Sequence, residues 1–272
     1  MVMNRLRRIK TWAHAGYAAR GLVYILLGWI ALSSGRALGA GEAVQEMGDL
    51  PLGGLILPLL ALGLFGYGLY KIYAGLSDVE GKGSDVKGKA MRAAYMVGGL
   101  GYWGLSFVAL KATLGGSRSN SGQAEGSEGA QQEIAREVAQ SAGGDMLLVL
   151  IGTIVLVVAG YQFVTAFKAK FMDDMEAGAP AFVKPAGQAG YAARGVVFAL
   201  VGWFAVQAGL GGERVRSSGD ALALLRDGYG WLFTAVAAGL VLFGITSLVM
   251  ARYRHIRDAD IADAARQFVP GR

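Results

Sequence analysis

Two arginines stand inside long apolar stretches, where an uncompensated guanidinium is costly. Arg20 lies in Ala-Gly-Tyr-Ala-Ala-Arg-Gly at residues 15–21, and Arg194 lies in the same seven residues at 189–195. Tyrosines flank both, Tyr17 and Tyr24 around the first and Tyr191 before the second. A guanidinium in this setting can snorkel to the headgroups, stack on aromatic rings, or bind an anion with its planar fork. Snorkelling with lipid-phosphate contact is the expected use. The alternative is an anion or lipid-headgroup contact shared by two copies of the motif, made of Arg20, Arg194, Tyr17, Tyr24 and Tyr191. A fainter third copy over Ala93–Leu110 aligns Tyr95, Gly99, Tyr102 and Ala109 with Tyr17, Gly21, Tyr24 and Ala31, but carries Gly98 where the others have arginine. Any basic ring is therefore incomplete, which favours one specialised pocket over a symmetric pore.

Other chemistry has little to draw on. The chain has no cysteine, which excludes disulfides, thiolate metal sites and a cysteine nucleophile. Its two histidines, His14 and His255, lie near opposite ends of the sequence in polar flanks, without carboxylates at ligand spacing. If the first and last helices are neighbours the two could meet, but a bis-histidine haem or metal site is not the expectation. Neither histidine adjoins a plausible serine nucleophile, and no phosphate loop, dinucleotide fingerprint or zinc-protease helix motif occurs. Ion-coupled transport usually leaves acidic or histidine side chains at mid-depth. Here the apolar runs offer only Gln162, Gln207 and hydroxyls such as Ser106, Thr153, Thr246 and Ser247, and Gln162 is expected to hydrogen-bond across helices. No enzymatic activity, cofactor or metal is expected.

The elements that position these residues follow from composition. With 54% hydrophobic residues, 17% charged and a mean hydropathy of +0.41, the chain is too apolar and too blockwise for a soluble domain. Six runs, at about 17–35, 52–76, 94–114, 145–167, 190–210 and 230–251, are each long enough to cross a hydrocarbon core of about 30 Å. The fold class is thus an all-α membrane protein of six transmembrane helices. Basic residues crowd the N-terminal tail (Arg5, Arg7, Arg8, Lys10), the second and fourth connections, and the C-terminal tail, while the first and third connections lean acidic. The positive-inside rule then puts both termini in the cytoplasm and explains the net charge of +6 without nucleic acid. The start resembles a signal peptide, with Ala-Leu-Gly-Ala at 37–40 as a cleavage site, but its internal copy at 189–209 cannot be a leader, so the first run is expected to stay as a helix.

The repeat divides the chain into two-helix units at 1–80, 88–172 and 186–256, with a cytoplasmic tail at 257–272. Because each unit crosses twice, the units are parallel repeats, and their simplest packing is a pseudo-threefold bundle of three hairpins. Short amphipathic helices are expected at Glu42–Gly48, Gln131–Ser141 and Gly219–Asp227, with a Gly/Ser-rich linker at Gly115–Gly129. Gly178–Pro185 separates the last two units, and Pro58 is expected to break and kink its helix. The steps Tyr17, Gly21, Tyr24, Gly28 and Tyr191, Gly195, Phe198, Gly202 form stripes that suit close helix packing. Gly21, Gly28, Gly99, Gly195 and Gly202 are the expected contact points.

The Gly-Tyr-Ala-Ala-Arg-Gly openings, the segment Ala-Val-Gln-Glu-Met-Gly-Asp-Leu-Pro-Leu-Gly at 43–53 and Gly66-Tyr67-Gly68 together resemble a bacterial domain-of-unknown-function family with three tandem two-helix transmembrane units. The resemblance covers about 14–255 and implies a bacterial inner (cytoplasmic) membrane protein; it transfers no substrate or catalytic residue. Mitochondrial carriers share the count of three units, but none of Pro51, Pro58, Pro180, Pro185 or Pro270 opens their signature element. The expectation is a non-catalytic structural or assembly subunit whose partners are the lipid bilayer and a protein partner or second copy, with no nucleic acid. The alternative is a channel or carrier for a small solute, anion or lipid, with Arg20 and Arg194 near its cytoplasmic mouth.

Overall fold

In hydrocarbon a backbone amide finds no water, so each apolar run must satisfy its own amides as a helix. The computed structural model describes residues 2–49, 52–78, 81, 83–114, 144–173, 175–176, 178–211 and 218–254. Over these residues the chain forms α1 (Val2–Ser34), α2 (Ala40–Glu46), α3 (Gly53–Ser77), α4 (Val86–Thr113), α5 (Gly144–Lys168), α6 (Val183–Gly209), α7 (Ser218–Gly228) and α8 (Gly230–Tyr253). Six spans, His14–Ser34, Gly53–Ser77, Met91–Thr113, Gly144–Lys168, Val183–Gly209 and Gly230–Tyr253, are long and apolar enough to cross a membrane. The protein is a multi-pass, all-helical membrane protein.

Local chemistry sets several helix ends. The Asp85 carboxylate accepts from Gly88 N at 2.9 Å and caps α4, and Glu42 accepts from Gly39 N at 3.0 Å at the start of α2. Two expectations are corrected. α3 runs unbroken through Pro58; the carbonyl that loses its partner is that of Gly54, in the first turn. α6 begins at Val183, inside the expected separator, because Pro185 falls in a first turn, where a missing N–H leaves no bond unmade. The expected helix at 131–141 and linker at 115–129 lie outside the described residues.

The helices pair most closely across unit boundaries, α1 with α8, α3 with α4, and α5 with α6. Glycine carries each boundary. A Cβ built on Gly21 would lie 2.9 Å from Gly244 O, and one on Gly28 would lie 2.6 Å from Ala237 O. On the α3–α4 seam, Gly99 and Gly68 each meet the other's carbonyl at 2.8 Å, and Gly75 meets Arg92 O at 2.6 Å. On the α5–α6 seam, Gly202 meets Gly152 O at 3.0 Å and Gly209 meets the Asp145 carbonyl. In all three seams the contacts recur seven residues apart and run antiparallel, the register of helices that cross at a shallow left-handed angle. A Cβ built on Gly195 would lie 3.1 Å from the Phe163 ring. Gly21, Gly28, Gly99, Gly195 and Gly202 each face a neighbouring helix of the same chain.

Packing inside the units is uneven, so three equivalent hairpins do not describe the bundle. In the first unit Gly63 of α3 sits against Ala19 of α1, and in the third Gly239 of α8 sits against Ala193 of α6. In the middle unit α4 and α5 do not pack on each other among the described residues. The repeat puts Val97 where the other units have Ala19 and Ala193; its branched side chain blocks so close an approach, and it is 64% exposed. Accordingly 22% of the most apolar stretch of α4 and of α5 is buried, against 44–50% in the other four spans. α2 and α7 close the end of the bundle where α1 finishes, with Ala43, Leu222 and Leu225 packed among Leu27, Ala31, Phe233 and Val236.

Candidate functional site

The Gly21–Gly244 approach brings α1 so near α8 that Arg20 meets Ser247, one turn along. Its Nε and Nη2 donate to Ser247 Oγ at 3.1 and 2.9 Å, and Nη1 donates to Tyr67 OH at 3.0 Å. Met250 Sδ lies 3.7 Å from Nη2. The guanidinium carbon stands 4.8, 4.9 and 5.5 Å from the ring centres of Tyr17, Phe243 and Tyr67. Arg20 is 5% exposed, so it does not snorkel. The expectation fails because acceptors and ring faces surround the side chain inside the bundle, where the sequence offered only the bilayer surface.

Arg194 enters the same chamber from α6. Its Nε donates to Tyr24 OH at 3.1 Å, and its guanidinium carbon lies 4.7 Å from the Phe198 ring centre and 5.0 Å from that of Phe243. The terminal nitrogens make no hydrogen bond among the described residues, and the side chain is half-buried. Because Phe243 serves both cations, they are no more than about 10 Å apart, within range to repel each other in a medium of low dielectric. Tyr24 and Tyr191 meet Phe243 edge-on at 4.8 and 5.1 Å. Tyr17 packs on Tyr67 at 5.0 Å, and Tyr67 on Tyr102 at 4.6 Å. Four of the five residues named from the sequence, Arg20, Arg194, Tyr24 and Tyr191, thus surround the Phe243 ring, and Tyr17 joins them through Arg20.

Among the described residues no carboxylate pairs with Arg20 or Arg194. The six spans contain no Asp or Glu except Asp145 at the start of α5. The ion pairs among the described residues, Arg36–Glu46 at 2.6 Å and Arg226–Asp227 at 2.7 Å, lie outside the spans. Lys71 adds a further cation at 3.8 Å from the Tyr95 ring centre and 5.7 Å from that of Tyr67, and Arg254 stands 5.1 Å from Tyr17. Around Arg20 and Arg194, hydroxyls and ring faces solvate positive charge without neutralising it.

Three contributors, Tyr67, Phe243 and Ser247, come from the second helices of their units and were not legible as site residues. Gly66-Tyr67-Gly68 stood out only as a family feature, and Ser247 as one hydroxyl among several. His14 is committed elsewhere, its Nδ1 donating to Ala251 O at 2.6 Å, which ties α1 to α8 as neighbours; His255 lies outside the described residues. Gln162 is 6% exposed yet makes no side-chain hydrogen bond among the described residues, contrary to expectation, because α6 faces α5 with Gly195 and Gly202. Gln207 is exposed.

Comparison with known proteins agrees with the repeat. The chain is similar to "Uncharacterized protein YxxB" of Bacillus subtilis (strain 168), with 29% identity over 261 residues that cover 91% of this chain and 92% of that protein. No solved structure matches it. Residues 15–78, 93–169 and 189–254 each match the family described as Domain of Unknown Function (DUF1206). Three tandem matches, one on each pair of spanning helices, make this chain a member of the DUF1206 family.

Proposed function

We propose that this protein is a non-catalytic anion-binding membrane protein, a carrier or receptor built around Arg20 and Arg194. The observation that carries the reading is the pair of guanidiniums sharing the Phe243 ring, with no carboxylate in the spans near them. Two like charges held together in low dielectric favour whatever anion comes between or beside them. Arg20 has its donors engaged and organises the chamber, whereas the terminal nitrogens of Arg194 are available for ligand. The alternative reading, an assembly subunit, drew on the packing glycines, and those are occupied inside the chain. The family and its bacterial relative support a place in the bacterial inner membrane, and the positive-inside argument puts both termini in the cytoplasm.

The test is equilibrium binding of inorganic phosphate and sulfate to the purified protein in nanodiscs. Arg194→Gln is expected to lower affinity by about tenfold or more, the loss of a charge-assisted contact. Lys168→Gln, at an exposed site, is expected to leave binding unchanged. Equal binding in wild type and Arg194→Gln would sink the reading.

A further inference from the structure

Among the described residues the bundle has an open side: packed neighbours run as an arch in the order α4, α3, α1, α8, α6, α5, and the two ends of the arch do not pack closely on each other. The cations lie on its inner wall. Tyr102 of α4 reaches the same cluster, its ring edge-on to that of Tyr67 at 4.6 Å, and Tyr67 OH accepts from Arg20. On the α5 side, Gln162 makes no side-chain hydrogen bond among the described residues, and its amide atoms are not fully enclosed although the residue is 6% exposed. A Cβ at Gly98, Gly101 or Gly104 of α4, or at Gly160 of α5, would meet no atom within 4 Å, so neither end of the arch brings bulk at those positions.

Depth decides what can use this opening. Phe243 precedes Tyr253, the last residue of α8, by ten residues, about 15 Å along the helix axis. That is roughly half of a hydrocarbon core about 30 Å thick. At the other end of the spans, α2, α7 and the apolar cluster around Phe233 close the bundle. At the level of the cations, the open side therefore borders acyl chains. A ligand with a charged head and a hydrocarbon tail suits both surroundings: its head meets the terminal nitrogens of Arg194, and its tail lies among exposed apolar side chains of α4 and α5 such as Leu100, Phe107, Leu150 and Val157.

The geometry points to an amphipathic anion as the ligand, a phosphate or carboxylate carried on a hydrocarbon chain, entering sideways from the bilayer between α4 and α5. This deepens the anion-binding reading above and rests on it. Arg194 is the contact residue and Arg20 a positioning residue.

The experiment uses the full chain in phosphatidylcholine nanodiscs doped with phosphatidic acid bearing a photoreactive acyl chain, with photoreactive phosphatidylcholine in parallel and inorganic phosphate as competitor. Adducts of phosphatidic acid are expected to concentrate on α4 and α5, to fall by about tenfold in Arg194→Gln, and to persist in Arg194→Lys, which keeps the charge. Phosphatidylcholine adducts are expected to spread over the lipid-facing surface. The wild-type map needs no variant: phosphatidic acid adducts that avoid α4 and α5, or match those of phosphatidylcholine, overturn the proposal. If inorganic phosphate binding depends on Arg194 while phosphatidic acid adducts do not, the ligand is a soluble anion and lateral entry fails. If neither probe depends on Arg194, the anion-binding reading falls as well.

Discussion

Arg20 and Arg194 occupy equivalent places in two copies of one motif, yet their surroundings assign them different work. Arg20 is held by Ser247 and Tyr67, so its removal takes partners from both. Ser247→Ala is expected to lower stability by about 1.5–3 kcal/mol, the range for a hydrogen bond to a charged group, read as the unfolding midpoint in detergent. Arg20→Lys should not restore stability to Arg20→Gln fully, because an ammonium lacks the fork that reaches two oxygens at once. Among the described residues Arg194 makes one hydrogen bond, to Tyr24, so Arg194→Gln should cost less stability than Arg20→Gln in the same assay. An equal loss in the two variants would contradict the division between a positioning and a contact residue. The motif made both arginines visible in the sequence. Their inequality was not, because the distinguishing partners arrive from helices more than forty residues away in one case and more than two hundred in the other.

At the scale of helices, the decisive feature is an antiparallel glycine register with a seven-residue step. It separates glycines that must stay small from glycines that need not. Gly21→Leu and Gly202→Leu put a branched side chain against a carbonyl on the facing helix; Gly21→Ala alone is expected to cost about 1–3 kcal/mol by overpacking. Gly98→Ala and Gly160→Ala meet open space and should be neutral or stabilise by roughly 0.5–1 kcal/mol through helix propensity. Thermal unfolding of the five variants checks the contrast, and a Gly98→Ala loss as large as that of Gly21→Ala would contradict the register. The glycine stripes were legible because small residues at helical spacing have one common use in membranes. Which helix each stripe faces was not legible, since the same stripe fits a partner in its own unit or in the next.

At the scale of the whole molecule, the prediction concerns orientation. The cysteine-free chain allows single labels. Ser34→Cys, exposed where α1 ends, is expected to react with an impermeant maleimide from outside the cell, and Ser84→Cys, exposed before α4, only after the membrane is opened. The reverse pattern would overturn the assignment of both termini to the cytoplasm. The arch also predicts unequal protection: amides of α4 and α5, the least buried spans, should exchange sooner than those of α1 and α8 in hydrogen-exchange mass spectrometry.

The sequence by itself determined that the chain is a helical membrane protein of three two-helix units. Six apolar runs have only one way to satisfy their backbones in hydrocarbon, and an internal repeat is a local pattern that needs no fold to be seen. It also singled out Arg20, Arg194, Tyr17, Tyr24 and Tyr191. Only the tertiary structure decided that four of these, all but Tyr17, surround Phe243, that Arg20 is enclosed rather than snorkelling, and that the two helices of the middle unit lie apart among the described residues. Those outcomes depend on which helices become neighbours, and neighbour choice rests on close approaches such as Gly21 to Gly244 and on the bulk of Val97 where the other units carry alanine. Each is a small difference in volume, and its consequence appears only when a second helix is present to meet it.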